Sequence, residues 1–328
     1  MIKEILPNLF KIEIPLPNNP LKSLNSYIIK SKGKNLIIDT GMNREECKKV
    51  MEQSLKKLDI ELEETDLFIT HLHADHCGLV NYLSTKNTTI FCSEADGNII
   101  NSLNDTKKWQ GMSHFISFSS FPPEELKAAL TNHPGYKYSP RENIEFSIVK
   151  EGSILEIGNY TFYCLETPGH TFGHICLYEP GEKLLISGDH LLIDITPNIS
   201  AWSDRVNPLE QYLKSLDKIY KLDISIVLPG HRRIFYNYQE RISELKLHHQ
   251  ERANEIINIL KYQGPQDGYQ VAAQMTWDIK YDSWNQFPPQ QKWFAVGEAI
   301  AHLNYLEGRN LIHKELKDNK LVYQLSSK

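Results

Sequence analysis

Residues 66–83, "DLFITHLHADHCGLVNYL", decide how this chain is read. Three of its 13 histidines, His71, His73 and His76, fall within six positions together with Asp75. "DLFIT" has the make-up of a buried strand and "CGLVNYL" opens like a helix, so the segment sits at the C-terminal end of a strand. In α/β folds that is where ligands are held. Side chains two apart on an extended segment point the same way, which puts His71 and His73 together and Leu72 opposite. Asp75 and His76 lie where the chain turns into the helix and approach the same spot from another side. Imidazole and carboxylate are ligands of a borderline-soft divalent ion.

One loop cannot complete a coordination shell, so further ligands must come from elsewhere. Three strand-like runs end suitably: "FYCLETPGH" at His170, "LLISGDH" with Asp189, and "IVLPGH" at His231. A glycine precedes each of the three and lets the backbone turn without Cβ crowding.

Taken in order, "LIIDTG", "THLHADHCG", "PGHTFGH", "SGDH" and "PGH" closely resemble the motifs of the metallo-β-lactamase superfamily, over roughly residues 8–236. The resemblance implies an α/β fold, the αββα sandwich. It implies that His71, His73 and His170 hold one metal ion, that Asp75, His76 and His231 hold a second, and that Asp189 bridges them. Asp39 matches the family's buried aspartate that supports the ligands. Two divalent ions per chain are expected, zinc first, with manganese or iron as alternatives. A metal-bridging hydroxide, its water acidified to a pKa of ~7, would be the nucleophile, with Asp75 orienting it and carrying its proton. His174 and His190 stand near enough to reach the site, with His174 expected to support the ligands from behind or to pack. His114 and His133 are expected at the solvated surface, His248 and His249 as packing or capping residues, and Cys77 as packing.

The ligand types prune the superfamily. His73 stands where flavin-linked diiron oxidoreductases carry glutamate, and true β-lactamases place cysteine or serine where Asp189 stands. Asp189 resembles glyoxalase II, lactonases, thioesterases and RNA-processing members. Two classes remain: hydrolysis of a small-molecule thioester, ester or lactone, or cleavage of single-stranded RNA. The net charge of −5 gives no general pull toward nucleic acid or anionic lipid.

A chain of 328 residues predicts more than one core. The reading divides it into a catalytic domain, 1–236, and a C-terminal domain, 237–328. Within the first, residues 95–140 form an aromatic-rich insertion, read either as a lid or pocket wall or as a helical flap with its own aromatic cluster. After residue 237, helix, "YQVAAQM", a helix over 289–309 and a hairpin follow in the order of a winged helix. The helix over 289–309 is expected to expose Trp293, Phe294 and Tyr305, which suits packing or a homodimer. Its charges Lys292, Arg309, Glu298 and Glu307 cancel, and only Lys314, Lys317 and Lys320 of the hairpin are basic, which argues against nucleic-acid readout. Five cysteines without a C-x-x-C pair suit reduced thiols in the cytoplasm. No apolar run is long enough to span a bilayer.

Overall fold

The computed structural model describes residues 1–103, 105–201, 203, 206–278 and 281–326, with backbone alone for residues 106 and 108. Two discontinuous compact units emerge. The first comprises Met1–Asn104, Pro134–Pro197 and Ser215–Arg241; the second comprises Asp105–His133, Asn198–Lys214 and Ile242–Lys328. The expected single boundary at 236/237 is therefore replaced by a discontinuous division. Residues 105–133, the middle of the insertion, group with the C-terminal segment because their apolar side chains share its core.

Seven strands form one sheet of the first unit, in chain order: β1 Ile2–Leu6, β2 Leu9–Pro15, β3 Ser23–Ile29, β4 Asn35–Ile38, β5 Thr65–Phe68, β6 Ile90–Cys92 and β7 Ser147–Ile148. β1 to β4 pair antiparallel; β4 to β7 pair parallel, with Ile37 opposite Leu67 and Ile38 opposite Phe68. The second sheet runs β12-β11-β10-β9-β8, from β8 Ile154–Ile157, β9 Tyr160–Glu166, β10 Ile175–Glu179, β11 Leu184–Gly188 and β12 Ile226–Pro229. Only β11 and β12 are parallel in it.

Alternation along the strands builds the layers. Leu36, Ile38 and Phe68 face Phe162, Leu177, Ile186 and Leu228 in the core between the sheets. Ile37, Leu67 and Ile69 point the other way, toward Cys47, Met51 and Leu55 of helix α1, Glu45–Leu58. That helix carries Glu45 and Glu46 in its first turn and Lys56 and Lys57 in its last, matching the helix dipole, and ends on Asp59 in the left-handed region. α2 Ala74–Cys77, α3 Val80–Leu83 and α4 Glu94–Ser102 follow the parallel strands.

The insertion continues as α5 Thr106–Ser117, α6 Pro123–Thr131 and α7 Pro134–Tyr138; α8 Pro208–Tyr220 and α9 Tyr238–Gln263 both cross from one unit to the other. In the second unit, β13 Gln266–Asp267 and α10 Gly268–Gln274 lead to α11 Pro289–Glu307 and the hairpin β14 Ile312–Lys317, β15 Lys320–Leu325. α10 starts on a capping box between Asp267 and Gln270.

The aromatics of the insertion do not form a separate cluster. Phe121 and Phe115 pack with Trp293, Val296, Ile300 and Leu303 of α11. Trp293 is fully buried, not exposed, and Lys292 is buried on Glu125 at 2.8 Å. The exposed aromatic face on which the homodimer expectation rested is thus absent at Trp293. In the hairpin, Lys314 pairs with Glu307 at 2.8 Å and Lys317 with Glu315, which lowers its basic character. All five cysteines are buried and unpaired. Among the described residues no helix is long and apolar enough to cross a membrane.

Candidate metal centre

The strand ends of the first unit bring seven side chains into two groups. His71, His73, His170 and Asp189 offer ligand atoms all within 4.8 Å of one another, and so do Asp75, His76 and His231. All but His73 are buried. Among the described residues these are the groups able to hold a metal ion.

In the first group, His73 Nδ1 lies 3.1 Å from His71 Nε2 and 3.0 Å from His170 Nε2. His71 and His73 thus face together, as the extended segment predicts, and Leu72 packs into the core. In the second, His231 Nε2 lies 3.4 Å from Asp75 and 3.4 Å from Asp189 Oδ2. Asp189 stands between the groups, its Oδ1 3.5 Å from His76 Nε2 and its Oδ2 3.7 Å from His170 Nε2.

The far sides of the rings explain this orientation. Asp39, just past β4, accepts from Thr70 N at 2.9 Å, from Thr70 Oγ1 at 2.8 Å and from His76 Nδ1 at 2.7 Å. Because Thr70 gives its hydroxyl proton to Asp39, its oxygen accepts from His71 Nδ1 at 3.0 Å. His231 Nδ1 donates to the Ser23 carbonyl at 2.7 Å. Each outer N–H is therefore fixed, and the Nε2 atoms of His71, His76 and His231 turn inward. His76 Nε2, His231 Nε2 and Asp189 Oδ1 are buried and find no hydrogen-bond partner. Such orphans are costly unless something else binds them, and a cation fits these donors.

Electrostatics agree with that fit. Burial and the neighbouring His170 push His73 down to about 3, so its ring is neutral and able to coordinate. Burial works against charge at His231, yet Asp189 and Asp75 raise it to about 10. Their field favours a positive charge at that spot. Burial likewise opposes ionisation of Asp75, but His231 and His76 hold its carboxyl at about 2. It is a carboxylate at neutral pH.

The remaining histidines separate clearly. His174 takes Asp189 N–H at 3.1 Å on Nε2 and pairs with Thr167 Oγ1 at 2.8 Å on Nδ1, so it braces Asp189. His190 is buried, its ring 6.1 Å from that of His174. His114 is exposed, as expected. His133 instead lies among Trp109, Trp293 and Phe294, and burial pushes it down to about 4. His249 is buried against His302 at 3.1 Å. Cys77 is buried and packs in the core.

The sequence reading missed Thr70, the Ser23 carbonyl and Asp96. Two of them act through hydroxyl or backbone groups that carry no pattern. Asp96 accepts from Leu72 N, Thr171 Oγ1 and Gly173 N, beside three of the histidines.

Residues 20–231 match the family model "Metallo-beta-lactamase superfamily". The chain is 26% identical to "Probable metallo-hydrolase YqjP" of Bacillus subtilis, covering 91% of this chain and 92% of that one. It is 24% identical to "Acyl-coenzyme A thioesterase MBLAC2" of Homo sapiens, over 64% of this chain and 74% of that one. The crystal structure of a metallo-beta-lactamase family protein from Thermus thermophilus superposes with a TM-score of 0.83 at 25% identity, covering 98% of this chain and 100% of that one.

Proposed function

The chain belongs to the metallo-beta-lactamase superfamily and is a metal-dependent hydrolase, and from that premise we propose that it cleaves thioesters of small molecules with two divalent ions, zinc first. The observation that carries the reading is the convergence of seven ligand side chains in two adjoining groups, with His76 Nε2, His231 Nε2 and Asp189 Oδ1 buried there without a hydrogen-bond partner. His71, His73 and His170 would hold one ion and Asp75, His76 and His231 the other, with Asp189 between them. When bound, the pair supplies Lewis acidity that polarises the acyl carbonyl and acidifies water at neutral pH.

The chain's own groups do the rest. Asp75 is ionised at neutral pH, so one of its carboxylate oxygens orients the attacking water and takes its proton. Asp39, Thr70 and the Ser23 carbonyl keep the histidine tautomers fixed throughout. Attack forms the new C–O bond, the C–S bond breaks, and the thiolate leaves with a proton returned through Asp75. The thioesterase name of the human relative supports a thioester over a lactone or a plain ester. The five buried, unpaired cysteines suit a reducing, cytoplasmic setting. We read the C-terminal helices and hairpin as winged-helix-like.

Single-stranded RNA is the disfavoured alternative, since the hairpin lysines Lys314 and Lys317 are already paired with carboxylates. The test is one preparation assayed for metal content and for cleavage of acyl-coenzyme A, a lactone and labelled single-stranded RNA. Thiol release from acyl-coenzyme A with two ions per chain is expected. RNA cleavage without thiol release contradicts the proposal.

A further inference from the structure

Asp96 is a fully buried carboxylate on the first turn of α4, and no lysine or arginine compensates it among its polar contacts. Its helix is capped by Ser93, whose hydroxyl accepts from Asp96 N, which fixes the backbone there. The carboxylate accepts three bonds. Leu72 N donates to Oδ2 at 3.0 Å, Thr171 Oγ1 to Oδ2 at 2.6 Å, and Gly173 N to Oδ1 at 2.8 Å.

The sources of those donors matter. Leu72 lies between His71 and His73, on the loop leaving β5 of the seven-stranded sheet. Thr171 and Gly173 lie one and three residues after His170, on the loop between β9 and β10 of the other sheet. One side chain therefore ties together two loops that carry all three histidines of the first group. Residue 173 is built for this approach. A Cβ there would strike Ser93 Oγ and would sit 2.7 Å from Asp96 N and 2.9 Å from Oδ1, so only glycine admits the carboxylate. A second tie, Ile175 N to Thr70 O at 2.9 Å, holds the sheets together independently. Loss of the carboxylate thus loosens the loops without parting the strands.

We propose that Asp96 is a positioning residue that sets the distance of His170 from His71 and His73 and so the affinity of that group for its ion. It belongs to neither group of ligands. The inference rests on the two-ion reading and deepens it, because it assigns a control of affinity to one group alone. Asp75, His76 and His231 take no bond from Asp96, and the loop it ties on the second sheet carries none of them.

Metal-free protein titrated with Zn²⁺ against a chelating dye tests this. Wild type should take up two equivalents. Asp96→Asn presents an amide N–H₂ toward at least one of its three donors and should keep one tight equivalent while the other weakens by about 10–100-fold. His170→Ala should weaken the same equivalent, and the double variant should lose no more than His170→Ala does. Thr171→Val, which removes one bond only, should shift that equivalent in the same direction by less, and it serves where Asp96→Asn does not fold. Two equivalents at wild-type affinity in both Asp96→Asn and Thr171→Val overturn the inference alone. Equal weakening of both equivalents also overturns it, since that is the signature of general destabilisation. A wild type that takes up no second equivalent sinks the two-ion reading itself, and this inference with it.

Discussion

Adding one methyl group at Gly230 should disable the centre while leaving the fold standing. Gly230 immediately precedes His231, and its backbone is held at both ends: its N–H donates to Gly188 O at 2.8 Å and its carbonyl accepts from Asn25 N at 2.7 Å. A Cβ there would lie 2.5 Å from Asp189 Oδ1 and 2.8 Å from His76 Cε1, where ordinary contact begins at 3.4 Å. The backbone cannot retreat, so the carboxylate must move by about 0.9 Å and the imidazole by about 0.6 Å. His76 is pinned through Nδ1 to Asp39 at 2.7 Å, so its displacement strains that bond while Asp189 makes the larger move. Overpacking of this size costs about 1–3 kcal/mol, and a misplacement near 1 Å at reacting groups costs about 10²-fold in rate. Gly230→Ala should therefore fold with a lowered melting temperature, hold less than two ions, and hydrolyse acyl-coenzyme A about a hundredfold more slowly. Gly33→Ala is the control, because a Cβ at Gly33 meets nothing within 4 Å. Wild-type turnover and two ions in Gly230→Ala would refute the placement of Asp189 against that glycine.

Three other perturbations test the centre and the second unit. Asp189→Ala removes the group lying between the two sets of ligands, so elemental analysis should fall toward one ion per chain and most hydrolysis should vanish; two ions with full turnover contradict its assignment. Burial raises Glu298 from 4.5 to about 6 in spite of Arg252 and Asn198 nearby. The folded chain then holds that proton more tightly than the unfolded one, so the residue's contribution to stability is whole below pH 4.5 and is lost as the pH rises through 6. Glu298→Gln should gain up to about 2 kcal/mol over wild type at pH 8 and lose that advantage near pH 4.5, read by urea unfolding of the metal-free proteins; a deficit at pH 8 contradicts the sign. Trp293→Ala empties the core of the second unit and should cost about 3–5 kcal/mol in the same unfolding assay, whereas a change under 1 kcal/mol would mean that Trp293 is not packed as described.

The chemistry of this chain was more legible than its division into units. His71 and His73 could be placed on one side because strand geometry alone orients residues two apart. Asp189, His170 and His231 announced themselves through apolar runs ending in glycine. Ile116, Phe121 and Leu126 show only that 105–133 has an apolar face. Which core receives that face is decided by packing against α11, far away in sequence. Trp293 was misread for a related reason. α11 buries residues all round its axis, including Lys292, Trp293, Val296, Ile300 and His302, so no polar stripe marks its outside. Asp96 escaped because it works through the backbone N–H groups of Leu72 and Gly173, which every sequence has.

The central claim is that two ions, held by two groups of side chains, act together on a thioester. Stepwise return of Zn²⁺ to metal-free protein, with thiol release from acyl-coenzyme A followed at each step, tests it most directly. Activity should stay low through the first equivalent and saturate as the second binds. Full activity at one equivalent, or thiol release that ignores the metal, would contradict it.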